Sequence, residues 1–130
     1  MIGLDTDTLI DLFKGDKKLK EIMGFQNEPI SITIINYQEI MFGLDLEKSN
    51  HKEEKEYYET LFDNFIIFSL TKESSKKASE IFWNLVHKGE NIGKFDSMIA
   101  GIFLINGVNK IITKNIKHFE KIPGIEVISY

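Results

Sequence analysis

Gly93 to Gly101 reads GKFDSMIAG, and the rest of the chain falls into place around it. The stretch sets one carboxylate, Asp96, in the first turn of a helix whose other residues, Met98, Ile99, Ile102, Phe103 and Ile105, are apolar. An acid there faces the positive end of the helix dipole, while the apolar residues anchor the helix in the core. A lone aspartate before an apolar run is ordinarily a helix cap. Two more acids, Asp5 and Glu39, lie just past or just inside strand-to-helix junctions of the same kind. That recurrence opens a second reading, in which the three share a site.

Downstream of this helix, Gly107 is a stop signal, residues 110–113 form a strand with Ile111 and Ile112 buried, and 115–119 form a short helix or turn. Pro123-Gly124 makes a turn before a last strand over 126–128. Upstream, Ala78, Ile81, Phe82, Leu85 and Val86 recur at three- and four-residue steps between a Thr71 cap and Gly89. Phe65-Ile66-Ile67-Phe68 is a strand, and the polar run 47–59 suits an exposed helix or helical hairpin with Tyr57, Tyr58, Leu61 and Phe62 inside. Strand 30–32 leads through a Thr33 cap into a helix holding Ile34, Ile35, Tyr37, Ile40 and Met41. Strand 2–4 leads into Leu9, Ile10, Leu12 and Phe13 at helical spacing, with Gly15 as the stop and a further short helix over 17–23. Strands alternating with helices predict an α/β fold with a mostly parallel sheet of four to five strands, helices covering both faces. Ligands of such sheets collect at the carboxyl ends of the strands, where strand order switches.

With 130 residues, of which 42% are hydrophobic, the chain suits one domain spanning 1–130 with a continuous core. No apolar run approaches the roughly 20 residues of a membrane helix. Asp5 and Asp7 interrupt any signal-peptide core, so a cytoplasmic protein with no membrane association is expected. The absence of cysteine excludes a disulfide framework and a thiolate zinc site. A net charge of −4 argues against a generally basic nucleic-acid surface. Locally the balance differs, because Lys110, Lys114, Lys117 and Lys121 stand together beside only Glu120. Phosphates would be attracted to that edge, with Lys94 nearby on the Asp96 helix. The ordinary reading of each lysine alone is a solvated charge. His118 reads as a surface or packing residue.

Each acid alone also has a structural use, Asp5 and Asp96 as caps and Glu39 as a solvated helix residue. Gathered at one sheet edge, they could not all stay ionised without help. A divalent cation supplies that help, and magnesium or manganese suits a site of few carboxylates completed by substrate phosphates. Two such ions about 3.5–4 Å apart position the attacking and leaving oxygens in phosphodiester hydrolysis. Thr113 and Asn115 add a hydroxyl and an amide oxygen at the same edge, although Asn115 alone would be a cap.

MIGLDTDTLIDLFKG, TIINYQEIMFG, NIGKFDSMIAGIFLINGV and IITKNIKHFEKIPGIEVISY resemble, in this order, the successive blocks of PIN domains. The nearest likeness among those is to the VapC-type toxin ribonucleases of toxin-antitoxin pairs. The resemblance spans nearly the whole chain and is least distinctive over 45–60. It implies a three-layer PIN-like fold and a Mg2+- or Mn2+-dependent endoribonuclease. The catalytic and metal-binding acids would be Asp5, Glu39 and Asp96, with Asn115 as a further ligand and Thr6 and Thr113 in support. Many members place a fourth acid where this chain has Asn115, so the resemblance suggests one tightly held ion with a second arriving alongside RNA. Asp7, where the family often has Asn or Ser, would add negative charge. RNA would be met by Lys94, Lys114 and Lys117. The partners implied are an RNA substrate, a small antitoxin protein and a second copy of the chain.

Two alternatives belong to other classes. Asp5-Thr6-Asp7-Thr8 fits the D-x-D-x-T pattern of haloacid-dehalogenase-type phosphatases, with Asp5 as nucleophile and Asp7 as acid and base. No later block supplies the matching lysine and paired acids, and Glu39 has no role there. The other is a non-catalytic PIN-like or receiver-like interaction module. A receiver would need an aspartate after the third strand, where this chain has Phe68-Ser69-Leu70.

Overall fold

The computed structural model describes residues Met1–Tyr130. Its elements run β1 (Ile2–Leu4), α1 (Thr6–Phe13), α2 (Lys17–Gln26), β2 (Ile30–Thr33), α3 (Ile34–Phe42), α4 (Ser49–Phe62), β3 (Ile66–Phe68), α5 (Lys72–His87), α6 (Lys94–Ile105), β4 (Lys110–Ile112), α7 (Ile116–Phe119) and β5 (Glu126–Ile128). The strands form one five-stranded sheet in the order β3-β2-β1-β4-β5. All four pairings are parallel, so the expected mostly parallel sheet is wholly parallel. Order runs outward from β1 in both directions, through β2 and β3 on one side and β4 and β5 on the other. The switch point therefore lies between β1 and β4, and the crevice beyond their carboxyl ends is where such a sheet binds ligands.

Side chains alternate across the strands and build two cores. Ile2, Leu4, Ile32 and Ile112 join Leu9, Phe13, Leu19 and Phe62 on one face. Ile111 joins Ile81, Leu85, Ile99, Ile102, Phe103 and Phe119 on the other. Helix α3 contributes to both, through Ile40 and Ile35 respectively. Two glycines let the second layer close. A Cβ on Gly3 would stand 2.6 Å from the Phe103 ring, so the ring lies directly on the strand. A Cβ on Gly101 would stand 2.8 Å from the Ser74 carbonyl oxygen and 2.9 Å from the Ala78 nitrogen, so α5 and α6 cross backbone against backbone.

Most strand bounds lie within one residue of those expected, the polar run 47–59 lies mostly in the single helix Ser49–Phe62, and α2 is extended. Thr33 and Thr71 cap α3 and α5 through reciprocal capping boxes with Asn36 and Ser74. Helix α2 continues beyond Met23 to Gln26 and stops where Asn27 takes a left-handed φ of 47°. Asparagine tolerates that conformation because its short polar side chain bonds locally, so it does the work of a terminating glycine. No helix is long and apolar enough to cross a membrane.

Candidate active site

Asp5 is the first residue after β1 and the N-cap of α1, accepting the Thr8 N–H on Oδ1 at 3.0 Å. Its other oxygen accepts the hydroxyl of Thr113, the first residue after β4, at 2.5 Å. The carboxylate thus bridges the two strands of the switch point, and it is only 5% exposed. Capping and site membership are not alternatives for Asp5, since one oxygen serves each. Burial pushes its pKa above the ordinary carboxylate value, the Thr113 and Thr8 donors pull it back, and Asp7 adds to the rise.

Glu39 comes from the middle of α3. Its Oε1 accepts the Thr6 hydroxyl at 2.5 Å, and Thr6 accepts in turn from Asn36 Nδ2 at 3.0 Å. Burial raises the Glu39 pKa most. The Thr6 hydroxyl opposes the rise, and the negative charges of Asp96, Asp7 and Asp5 add to it. The charges of acids from two other chain segments therefore reach Glu39.

Asp96 does not cap its helix. The N-cap of α6 is Gly93, which offers no side chain. Asp96 Oδ2 instead meets His118 Nδ1 at 2.9 Å, and the same nitrogen lies 2.8 Å from Asn115 Nδ2. A proton on Nδ1 donates to Asp96, which leaves that nitrogen no lone pair to accept from Asn115 Nδ2. The other tautomer would leave two acceptors facing each other at 2.9 Å. Asn115 stands at the N-cap position of α7 without a side-chain cap bond, and its own N–H donates to Thr113 Oγ1 at 2.8 Å.

The sequence singles out no role for Asn36 and gives His118 only a surface or packing role, whereas His118 meets Asp96. His118 follows Asn115 by one helical turn, and Asn36 follows Thr33 at the capping-box spacing. Both spacings are visible in the chain, but neither says which neighbour the side chain meets. The basic edge also looks different in three dimensions. Lys110 pairs with Glu28 at 3.1 Å, Lys121 with Glu90 at 3.7 Å, and Lys114 with Asp11 at 2.9 Å. Lys114 further lies over the Tyr130 ring, whose hydroxyl donates to Asp11 at 2.6 Å. Tyr130 is held protonated by burial and then by the Asp11 carboxylate. Lys94 and Lys117 are exposed and form no ion pair. A cavity of about 420 Å³ opens between α5 and α6 beside Trp83, Met98 and Lys94, and none of Asp5, Glu39 or Asp96 lines it.

The order of blocks, the parallel sheet and the acids at its switch point agree with one family, whose sequence model matches residues 2–125. The chain belongs to the PIN domain family. Among its relatives is the tRNA(fMet)-specific endonuclease VapC of Salmonella typhimurium, 28% identical over 126 residues, which is 95% of this chain and 93% of the relative. Ribonuclease VapC1 of Rickettsia felis is 27% identical over 131 residues, 97% of this chain and 93% of the relative. In fold, the chain is similar to a chain of the VapBC2 structure from Rickettsia felis bound to a promoter DNA fragment. The TM-score is 0.86 at 21% identity, over 100% of this chain and 99% of that one.

The PIN family match over 2–125 leaves the phosphatase alternative without support. For a divalent ion, the donor set is made of hard oxygens from Asp5, Glu39, Asp96 and Asn115, the type magnesium and manganese prefer. As the side chains stand, no three carboxylate or imidazole groups close around a single ion position. Magnesium does not require such a cage. It keeps much of its water and is commonly held by one or two carboxylates plus substrate phosphates, so this chemistry fits the residues present.

Proposed function

We propose that this PIN domain is a metal-dependent endoribonuclease, the toxin of a toxin-antitoxin pair. One observation carries the reading: at the switch point of a parallel sheet Asp5 bridges to Thr113, Glu39 is held by Thr6 beside Asp5, and Asp96 meets His118 next to Asn115, whose N–H donates to the same Thr113. Asp5, Asp7 and Glu39 form no ion pair within the protein. The names of the relatives, an endonuclease specific for tRNA(fMet) and a ribonuclease, support RNA as the substrate, and the VapBC structure supports a partner protein.

Asp5, Glu39 and Asp96 would hold Mg2+ or Mn2+, with Asn115 as a neutral oxygen ligand, one ion tightly and a second alongside RNA. Such an ion would supply Lewis-acid polarisation of the scissile phosphate and a lowered pKa for water. The chain's own groups prepare the ligands. Thr113 and Thr8 favour the ionised form of Asp5, Thr6 orients Glu39, and His118 orients Asp96. Lys94 and Lys117 offer unpaired positive charge to phosphates, whereas Lys114 shares its charge with Asp11. The domain acts in the cytoplasm, pairs with a second copy, and is silenced by a small antitoxin whose segment covers the acidic cleft.

Expression in a host without the antitoxin tests this. Wild type is expected to arrest growth and leave cleaved cellular RNA, and Asp96→Asn to do neither. Equal toxicity of the two would refute the mechanism.

A further inference from the structure

Asn36 is 0% exposed and sits at the third residue of α3, one turn before Glu39. Its Oδ1 accepts from the Thr33 N–H at 2.7 Å and from the Thr33 hydroxyl at 2.8 Å. A backbone N–H can only donate, so the oxygen of the amide must face Thr33 and the nitrogen must face Thr6. Nδ2 donates to Thr6 Oγ1 at 3.0 Å. The Thr6 oxygen is thereby occupied as an acceptor, and its one proton goes to Glu39 Oε1 at 2.5 Å. The chain of hydrogen bonds has a single direction, from the start of α3 through α1 and back to the acid.

Helix α5 supplies an internal comparison. There the same reciprocal box is closed by Thr71 and a serine, Ser74, with the Thr71 N–H donating to Ser74 Oγ at 2.8 Å and the Ser74 N–H to Thr71 Oγ1 at 3.0 Å. Serine therefore suffices to cap a helix in this protein. What asparagine adds at position 36 is the second polar atom, the one that reaches Thr6. We infer that Asn36 is a positioning residue: through the Thr6 hydroxyl it holds Glu39 by Oε1, leaving Oε2 without a protein hydrogen bond. This rests on the metal-dependent nuclease reading and assigns a residue outside the ligand set to it.

The test is Asn36→Ser in the full chain, with Thr6→Val beside it. Asn36→Ser keeps the cap, so its melting temperature should stay within about 3 °C of wild type, a small change for a domain of this size. Partners that orient metal ligands typically matter by roughly 10–100-fold. Mn2+ affinity by calorimetry should therefore weaken about tenfold, and kcat for RNA cleavage should fall about tenfold or more with KM little changed. The double variant should be no worse than Thr6→Val alone, because the two residues act in series. Wild-type Mn2+ affinity and kcat in Asn36→Ser, or additive losses in the double variant, would overturn the assignment. If Asn36→Ser does not fold, Thr6→Val decides alone, and unchanged Mn2+ affinity in it overturns the relay. A wild type that binds Mn2+ without cleaving RNA refutes the nuclease reading, and the relay is then judged on affinity. A wild type that binds no Mn2+ refutes both.

Discussion

Replacing Thr113 by valine removes one hydroxyl from the centre of the switch point while keeping the shape of the side chain. Thr113 is 0% exposed and Asp5 is 5% exposed, so water does not readily replace the lost donor. A hydrogen bond to a charged group contributes about 1.5–3 kcal/mol. The Asn115 N–H, which donates to the same hydroxyl at 2.8 Å, loses its partner as well. Asp5 keeps only the Thr8 N–H. The expected loss is roughly 2–4 kcal/mol, equivalent to a melting temperature lower by roughly 6–15 °C for a chain of this length. The loss must also depend on pH. Burial already holds the Asp5 pKa above the ordinary value, and the Thr113 donor pulls it down, so the valine variant has the higher folded-state pKa. The unfolded states titrate alike and cancel. The part of the difference tied to Asp5 is therefore complete above the variant's raised pKa and disappears once pH falls below that of the folded wild type, leaving only the pH-independent loss at the Asn115 N–H. Urea unfolding in a chelating buffer, at neutral pH and at steps into the acid range, measures it. A loss under about 0.5 kcal/mol, or one that stays constant on acidification, would refute the view that this contact holds an ionised Asp5.

Glu39→Gln should lower metal-dependent cleavage by more than about 100-fold, since even partners of metal ligands matter by roughly 10–100-fold. Because burial and neighbouring acids raise the Glu39 pKa, wild type loses stability as pH rises through that value; without metal, Glu39→Gln should melt about 2–5 °C higher at neutral pH and match wild type in acid. Excess Mn2+ should reverse the order by stabilising the wild type alone, and a thermal-shift assay that finds no reversal counts against Glu39 as a ligand. Gly101→Ala sets two magnitudes against each other, a helix-propensity gain of about 1 kcal/mol and an overpacking cost of about 1–3 kcal/mol. The contacts at 2.8 and 2.9 Å are with the backbone of α5, which cannot swing aside, so a net loss is expected on denaturant unfolding, and a net gain would show that the crossing relaxes.

The alternation of strands and helices, the caps at Thr33 and Thr71, and the parallel arrangement of the sheet were legible from local chemistry, because β-branched runs, capping residues and glycine stops act over a few residues. The acids were legible only as a set. Asp5, Glu39 and Asp96 each sit near a strand-to-helix junction, and alternation of that kind in a parallel sheet brings such junctions to one edge. What the chain order could not determine was where each side chain turns on arrival. Asp5 is both cap and bridge to Thr113, and Asp96 ignores its helix terminus for His118. Lysines that look like a basic stripe mostly meet acids from distant segments, Lys110 with Glu28 and Lys114 with Asp11. These outcomes depend on contacts between residues tens of positions apart, through distances and burial that exist only once the sheet has formed. Sequence by itself determined which elements form and that acids recur at their junctions. The tertiary structure alone decided which oxygen of each carboxylate is engaged by protein and which charges remain unpaired.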